Sequence, residues 1–197
     1  MRVLIGCEFS GIVRDAFAAL GHDAMSCDLL ASERPGLHYR GNVLDILGDG
    51  WDLMIAHPPC TYLSNAGAKH LYKGGELNQE RYANGLEAKE LFMALYNAPI
   101  PKICIENPIP SRVYKLPKYS QFIQPFEHGH PYTKKTCLWL KGLEPLMPTH
   151  MVYDVESTKV AGNWFNKGGK DRQKNRARTF EGIANAMAEQ WGGIENV

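Results

Sequence analysis

The chain has 197 residues, 44% hydrophobic and 22% charged, with a formal net charge of +1. This is ordinary globular composition, long enough for one domain with its own core, and it excludes holding nucleic acid by net charge alone. Five cysteines, Cys7, Cys27, Cys60, Cys104 and Cys137, stand singly with no C-x-x-C pair, which argues against a disulfide framework and for a reducing cytoplasm. The start, M-R-V-L-I-G-C-E, turns polar too soon for a signal peptide. No apolar run approaches the ~20 residues of a membrane span, so no membrane contact is expected.

Val3 to Cys7 reads as a buried strand, and Glu8-Phe9-Ser10-Gly11 as a turn. Val13, Ala16, Phe17 and Leu20 follow at helical spacing, with Gly21 as the stop. Ala24 to Cys27 is a second strand, ending at Asp28. This βαβ unit predicts an α/β fold with a mostly parallel sheet and helices on both faces. A glycine in the first turn lets the backbone approach a ligand, the helix offers free N–H groups, and the acid can accept ribose hydroxyls. A lone S-G turn is more often an ordinary turn than a nucleotide site. Asp45, in N-V-L-D-I, either caps the following turn or faces a ligand.

Trp51 to Gly67 is the most informative stretch. Leu53 to Ala56 has strand length and runs into Pro58 and Pro59, which cannot continue a ladder. Cys60 is thereby presented on a stiff turn past the carboxyl end of a buried strand, the rim where open α/β sheets bind ligands. Thr61, Ser64, Asn65, Ala66 and Gly67 suit a loop that moves over a substrate. By itself Cys60 is as readily an ordinary half-buried cysteine. Lys69 to Arg81, with Gly74-Gly75, reads as a flexible insertion, and Asn78 to Asn97 as a core-facing helix ended by Pro99 and Pro101.

Lys102 to Ile105 is another strand, followed by Glu106-Asn107-Pro108. A glutamate directly off a buried strand is costly without a partner or a role. Pro110 to Pro131 reads as a loop crossing the rim. His128, His130 and the distant Cys137 do not make a four-ligand set, so no metal is expected. Thr133-Lys134-Lys135-Thr136 precedes a strand from Cys137 to Leu140. Lys159 to Arg178 is a basic run containing Trp164 and Phe165, suited either to phosphates and stacked bases or to plain solvation. Thr179 to Trp191 closes the chain as an apolar-faced helix.

Taken in order, these stretches resemble the motifs of the DNA cytosine-C5 methyltransferases. Pro59-Cys60 with Ser64 and Ala66-Gly67 resembles the catalytic P-C-Q motif, with Thr61 where glutamine is usual. Phe9-Ser10-Gly11 resembles F-x-G-x-G, with Val13 in place of the second glycine. Asp45-Ile46 resembles the third motif, and Glu106-Asn107-Pro108 resembles E-N-V. Thr133 to Thr136 stands where the family carries Q-x-R-x-R, and Ile183 to Met187 where it carries G-N-x-V, with Ala184 replacing the glycine. The sharp matches are P-P-C-x-x-x-S and the strand-terminal E-N.

The resemblance implies a Rossmann-like, S-adenosylmethionine-dependent methyltransferase fold in a single domain, residues 1–197. A short basic insert at about 150–178 stands in place of a target-recognition domain. It implies that Cys60 adds covalently to cytosine C6 and that Glu106 protonates the ring, with partial burial raising the Glu106 pKa. Pro59, Ser64, Asn107 and Lys135 would contact substrate. Phe9, Ser10, Gly11, Asp28, Asp45, Pro58 and Asn185 would contact S-adenosylmethionine. The expected partner is DNA, read with low sequence specificity, with a protein partner or a homodimer able to supply target recognition. Two alternatives stay open: the same chemistry on a free cytosine nucleotide or single strand, and a non-catalytic S-adenosylmethionine- or nucleotide-binding protein that modulates a host modification system.

Overall fold

The computed structural model describes residues 1–157 and 172–193. In chain order the elements begin β1 (Arg2–Gly6), α1 (Ile12–Ala19), β2 (Asp23–Asp28), β3 (His38–Arg40), β4 (Leu53–Ala56) and α2 (Asn65–Ala68). There follow β5 (Tyr72–Lys73), β6 (Glu76–Leu77), α3 (Gln79–Tyr96), β7 (Lys102–Pro108) and β8 (Gln121–Ile123). The chain continues through β9 (Tyr132–Thr133), β10 (Thr136–Lys141), β11 (Glu156–Ser157), α4 (Arg172–Ala177) and α5 (Glu181–Trp191).

Seven strands form one sheet in the order β3-β2-β1-β4-β7-β10-β8. The first five run parallel, and β10 lies antiparallel to both neighbours. The chain winds outward from β1 to β3, then crosses back to β4 on the other side. The strand order therefore reverses between β1 and β4, where doubly wound sheets bind ligands at the carboxyl ends. This is a Rossmann-like α/β fold.

Alternation along the strands divides the core into two layers. Val3, Ile5, Leu53 and Ile55 face α1 and α5, meeting Phe17, Ile183 and Met187. Leu4, Met54, Ile103 and Ile105 face α3, meeting Phe92 and Leu95. Trp139 on β10 closes that second layer edge-on to Phe92, with centroids 5.1 Å apart. Asn78 caps α3 by accepting the Arg81 backbone N–H at 3.0 Å. The buried stripe of α3 is Gly85, Phe92 and Leu95, while Leu86 is exposed.

Two local readings change, and one strand is added. The segment read as a flexible insertion holds a small hairpin, β5–β6, turned at Gly74 and Gly75 with φ of 61° and 87°. The segment from Pro110 to Pro131 contributes β8 to the sheet edge. β3 joins the opposite edge. Both strands are three residues long, too short to show a period in sequence. The basic run from Lys159 lies outside the described residues up to position 171. Among the described residues, no helix is long and apolar enough to cross a membrane.

Candidate active site

The rim over β4 and β7 is built by parallel register. Ala56 pairs with Ile105, so the next residues, His57 and Glu106, stand side by side on the same face. His57 extends the ladder by donating its backbone N–H to the Gly6 carbonyl at 2.9 Å. Its Nδ1 lies 2.8 Å from Glu106 Oε2, and the two side chains are only 8% and 14% exposed. Burial by itself pushes the Glu106 carboxyl up. The hydrogen bond from His57, its charge and that of Lys134 outweigh burial and hold Glu106 below its ordinary value. The expectation that burial keeps Glu106 protonated is thereby corrected: an adjacent imidazole stabilises the carboxylate more than desolvation penalises it.

Pro58 and Pro59 then stop the strand, and Asn107 fastens the turn by donating Nδ2 to the Pro58 carbonyl at 3.2 Å. Asn107 is buried, and its Oδ1 has no partner. Cys60 is exposed. Protein packed around its sulfur, and next the charge of Glu106, push the thiol up, against the pull of Lys134 and Arg176. The resting sulfur is therefore a thiol, and it would have to lose its proton to act as a nucleophile.

The loop after Cys60 is docked rather than free. The Ser64 N–H donates to the Cys60 carbonyl at 3.0 Å, Asn65 N–H to Ile109, and Ser111 N–H to Leu63. Leu63 is fully buried and anchors the turn. Ser64 Oγ accepts the Gly67 N–H at 3.2 Å, capping α2, which gives that hydroxyl a structural partner. Arg81 from α3 donates to the carbonyls of Thr61 and Gly67, each at 3.1 Å, and its guanidinium lies over the Tyr62 ring.

Lys134, with Glu106, Thr136, Thr179, Phe180 and Ile183, lines a small cleft beside the carboxylate. Lys135 instead places its ammonium 3.8 Å from the Phe122 ring centre, on the exposed edge. The cation at the cleft is thus Lys134 rather than Lys135, as neighbouring residues of extended chain point to opposite sides.

The first turn is also filled differently from expectation. Glu8 is buried and accepts the backbone N–H of Val13 at 2.8 Å and of Arg14 at 3.3 Å, while Ser10 Oγ donates to it at 3.1 Å. The start of α1 therefore holds the chain's own carboxylate, and its N–H groups are not free. Gly11 has φ 74°, and a side chain there would meet the Arg14 guanidinium. Phe9 and Ser10 are buried in the turn, and Asn185 sits on the exposed side of α5.

Asp28, at the end of β2, accepts the Leu30 N–H at 2.9 Å and stays part-exposed. Asp45 is exposed and accepts from the Tyr39 hydroxyl at 3.5 Å. Three exposed leucines flank these acids: Leu29, 72% exposed, with Leu30 and Leu44. Cys7 lies at the same rim in a left-handed conformation, φ 58°. Its thiol is pushed up to about 12 by burial, then by Asp28 and Cys27, and is inert. Among the described residues, no group of His, Cys, Asp and Glu could hold a metal.

The residues missed in sequence are His57, Lys134 and Glu8. His57 is adjacent to P-P-C, but its partner lies 49 residues on, and only strand register joins them.

No protein-family model and no curated protein matches the chain. Among solved structures, the chain is similar to a candidate DNA modification methyltransferase encoded within a prophage of E. coli. The identity is 14%, the TM-score is 0.46, and the match covers 76% of this chain. It spans about half of that protein, 51% of its length. At that level the likeness carries no functional argument, and the fold assignment stands on the sheet order.

Proposed function

We propose that the chain transfers a methyl group from S-adenosylmethionine to C5 of cytosine in DNA, through a covalent Cys60 adduct. The observation that carries this reading is that an exposed Cys60, past the carboxyl end of β4, feels the charge of a near-buried Glu106 on the adjacent strand β7. A nucleophilic sulfur beside a carboxyl group suits an aromatic ring that must be attacked at one atom and protonated at another.

The rim over β1 and β2 suits the donor at two of its parts. Asp28 would accept ribose hydroxyls, and Leu29, Leu30 and Leu44 offer apolar surface for a flat purine beside Asp45. Its amino-acid end would meet a turn already closed by Glu8, so α1 would not receive its carboxylate. When bound, S-adenosylmethionine supplies a methyl group activated by a sulfonium. Cys60 adds to C6, and Glu106 holds a proton at the ring nitrogen. A target within a duplex must first be turned out of the stack.

Residues 142–180 are all that separate β10 from α5, too few for an independently folded reading domain. That shortness favours, as a second reading, the same chemistry on a single strand or a free cytosine nucleotide. The test is methyl transfer from labelled cofactor to duplex DNA, single strands, RNA and dCMP. Label in a cytosine substrate, together with a protein adduct on 5-fluorocytosine, supports the proposal. No transfer to any of the four leaves a non-catalytic binding protein.

A further inference from the structure

The His57–Glu106 contact has no counterpart in the motif resemblance, which includes Glu106 but not His57. We propose that His57 is a positioning residue that holds, through its hydrogen bond to Glu106, the proton that Glu106 delivers to the substrate ring. The inference rests on the cytosine reading above.

Three observations carry it. The bond is short, 2.8 Å, between side chains largely withdrawn from water. An ionised carboxylate can only accept, so Nδ1 carries the proton. The other ring nitrogen, Nε2, is buried without a protein partner. His38 shows how a structural histidine is held in this chain: Nδ1 meets Ser26 Oγ and Nε2 meets the Leu30 carbonyl, each at 2.9 Å. His22 and His128 also leave Nε2 unpaired. Among the described residues, of these three imidazoles with an unpaired Nε2, His57 is the one whose Nδ1 is bonded to Glu106.

The step balances as follows. Cys60 enters as thiolate, its proton having passed to solvent. The Sγ–C6 bond forms, and the electrons of the C5–C6 double bond shift toward the ring nitrogen. That nitrogen takes a proton from Glu106, which takes one from Nδ1 of a His57 imidazolium charged beforehand from solvent, leaving neutral imidazole protonated at Nε2. When solvent later takes the C5 proton and the C6–S bond breaks to release the thiolate, the ring nitrogen returns its proton to the pair. The titratable and charged groups facing the pair are Cys60 on the loop, Lys134 before β10, Cys104 on β7 and Cys137 on β10.

The test is the pH dependence of adduct formation on a 5-fluorodeoxycytidine oligonucleotide with S-adenosylmethionine, in the wild type and His57→Asn. Asparagine keeps a hydrogen-bond donor but cannot titrate. The expected result is a loss of about 10²-fold near pH 8, with the alkaline fall beginning about one pH unit or more lower. A uniform loss with an unchanged profile means that His57 is structural, and overturns the proposal. A second measurement needs no turnover: nitrogen NMR of the imidazole in the full chain. The Nδ1–H signal of His57, held by the bond to Glu106, should shift or vanish in Glu106→Gln, and an unmoved signal overturns the proposal. If the wild type forms no adduct, the cytosine reading fails by itself, and the NMR result alone decides the pair.

Discussion

Cys60 and Asp28 occupy different parts of the rim, so their replacement separates chemistry from binding. Cys60→Ser should abolish methyl transfer and leave S-adenosylmethionine affinity within a few fold, because Cys60 lies beyond β4 and away from the β2 acid. Radiolabel transfer beside calorimetry checks this, and full activity would sink the covalent mechanism. Asp28→Ala should weaken cofactor affinity by roughly tenfold, about the worth of one hydrogen bond to a charged group. Unchanged affinity would place the cofactor elsewhere. Glu106→Gln should slow transfer by roughly 10²–10⁴-fold, as for other acid–base groups.

At the scale of elements, the loop after Cys60 depends on one close approach. A Cβ on Gly67 would stand 2.1 Å from the Thr61 carbonyl oxygen, against backbone that cannot yield cheaply. Gly67→Ala should therefore displace the loop and reduce activity well before it lowers the thermal midpoint. A parallel loss of both would show that the loop is part of the folding core. Buried His128 adds a pH dependence to the packing around α5. Burial, then the charge of His130, push its imidazole down to about 4. A histidine kept neutral by the fold binds its proton more readily when unfolded. Its contribution is thus fully present above pH 6.5 and is lost as pH falls from there through about 4. Denaturant titrations across that window should show stability rising with pH, and His128→Gln should flatten part of the rise. An equal slope in both proteins would contradict the assignment.

For the whole molecule, what can be recognised is set by how little chain lies between β10 and α5. Phosphate contacts position a nucleic acid, and base-edge contacts specify it. The basic run from Lys159 to Arg178 can supply the first. Any DNA methylation should therefore be of low sequence specificity, extending at most to a few bases of context. Alanine at Lys170, Arg172 and Lys174 should weaken binding to all sequences alike and flatten its salt dependence. Bisulfite mapping after expression in an unmethylated host reads the outcome. One long motif methylated to completion would mean that a partner protein, a second copy or the insert itself reads bases.

The order of apolar runs and breakers in the sequence determined the α/β class, the strands β1, β2, β4, β7 and β10, and the helices α1, α3 and α5. These signals are local: strand-length apolar runs, helical spacing, and prolines or glycines that stop both. Cys60 and Glu106 stood out for a similar reason, each being a polar residue soon after a strand-length apolar run, although Glu106 lies inside β7 rather than beyond it. Only the tertiary structure decided their partners. His57 meets Glu106 through parallel register across 49 residues. Glu8 closes its own helix start, although a short carboxylate before a turn looks the same in sequence whether it caps or stays free. Lys134 rather than Lys135 reaches the cleft, since two adjacent lysines differ only in the side of the chain they leave from. The sequence sets which groups are present and where the chain turns, whereas the proton's place between His57 and Glu106 depends on distance and burial, which exist only after the sheet has formed.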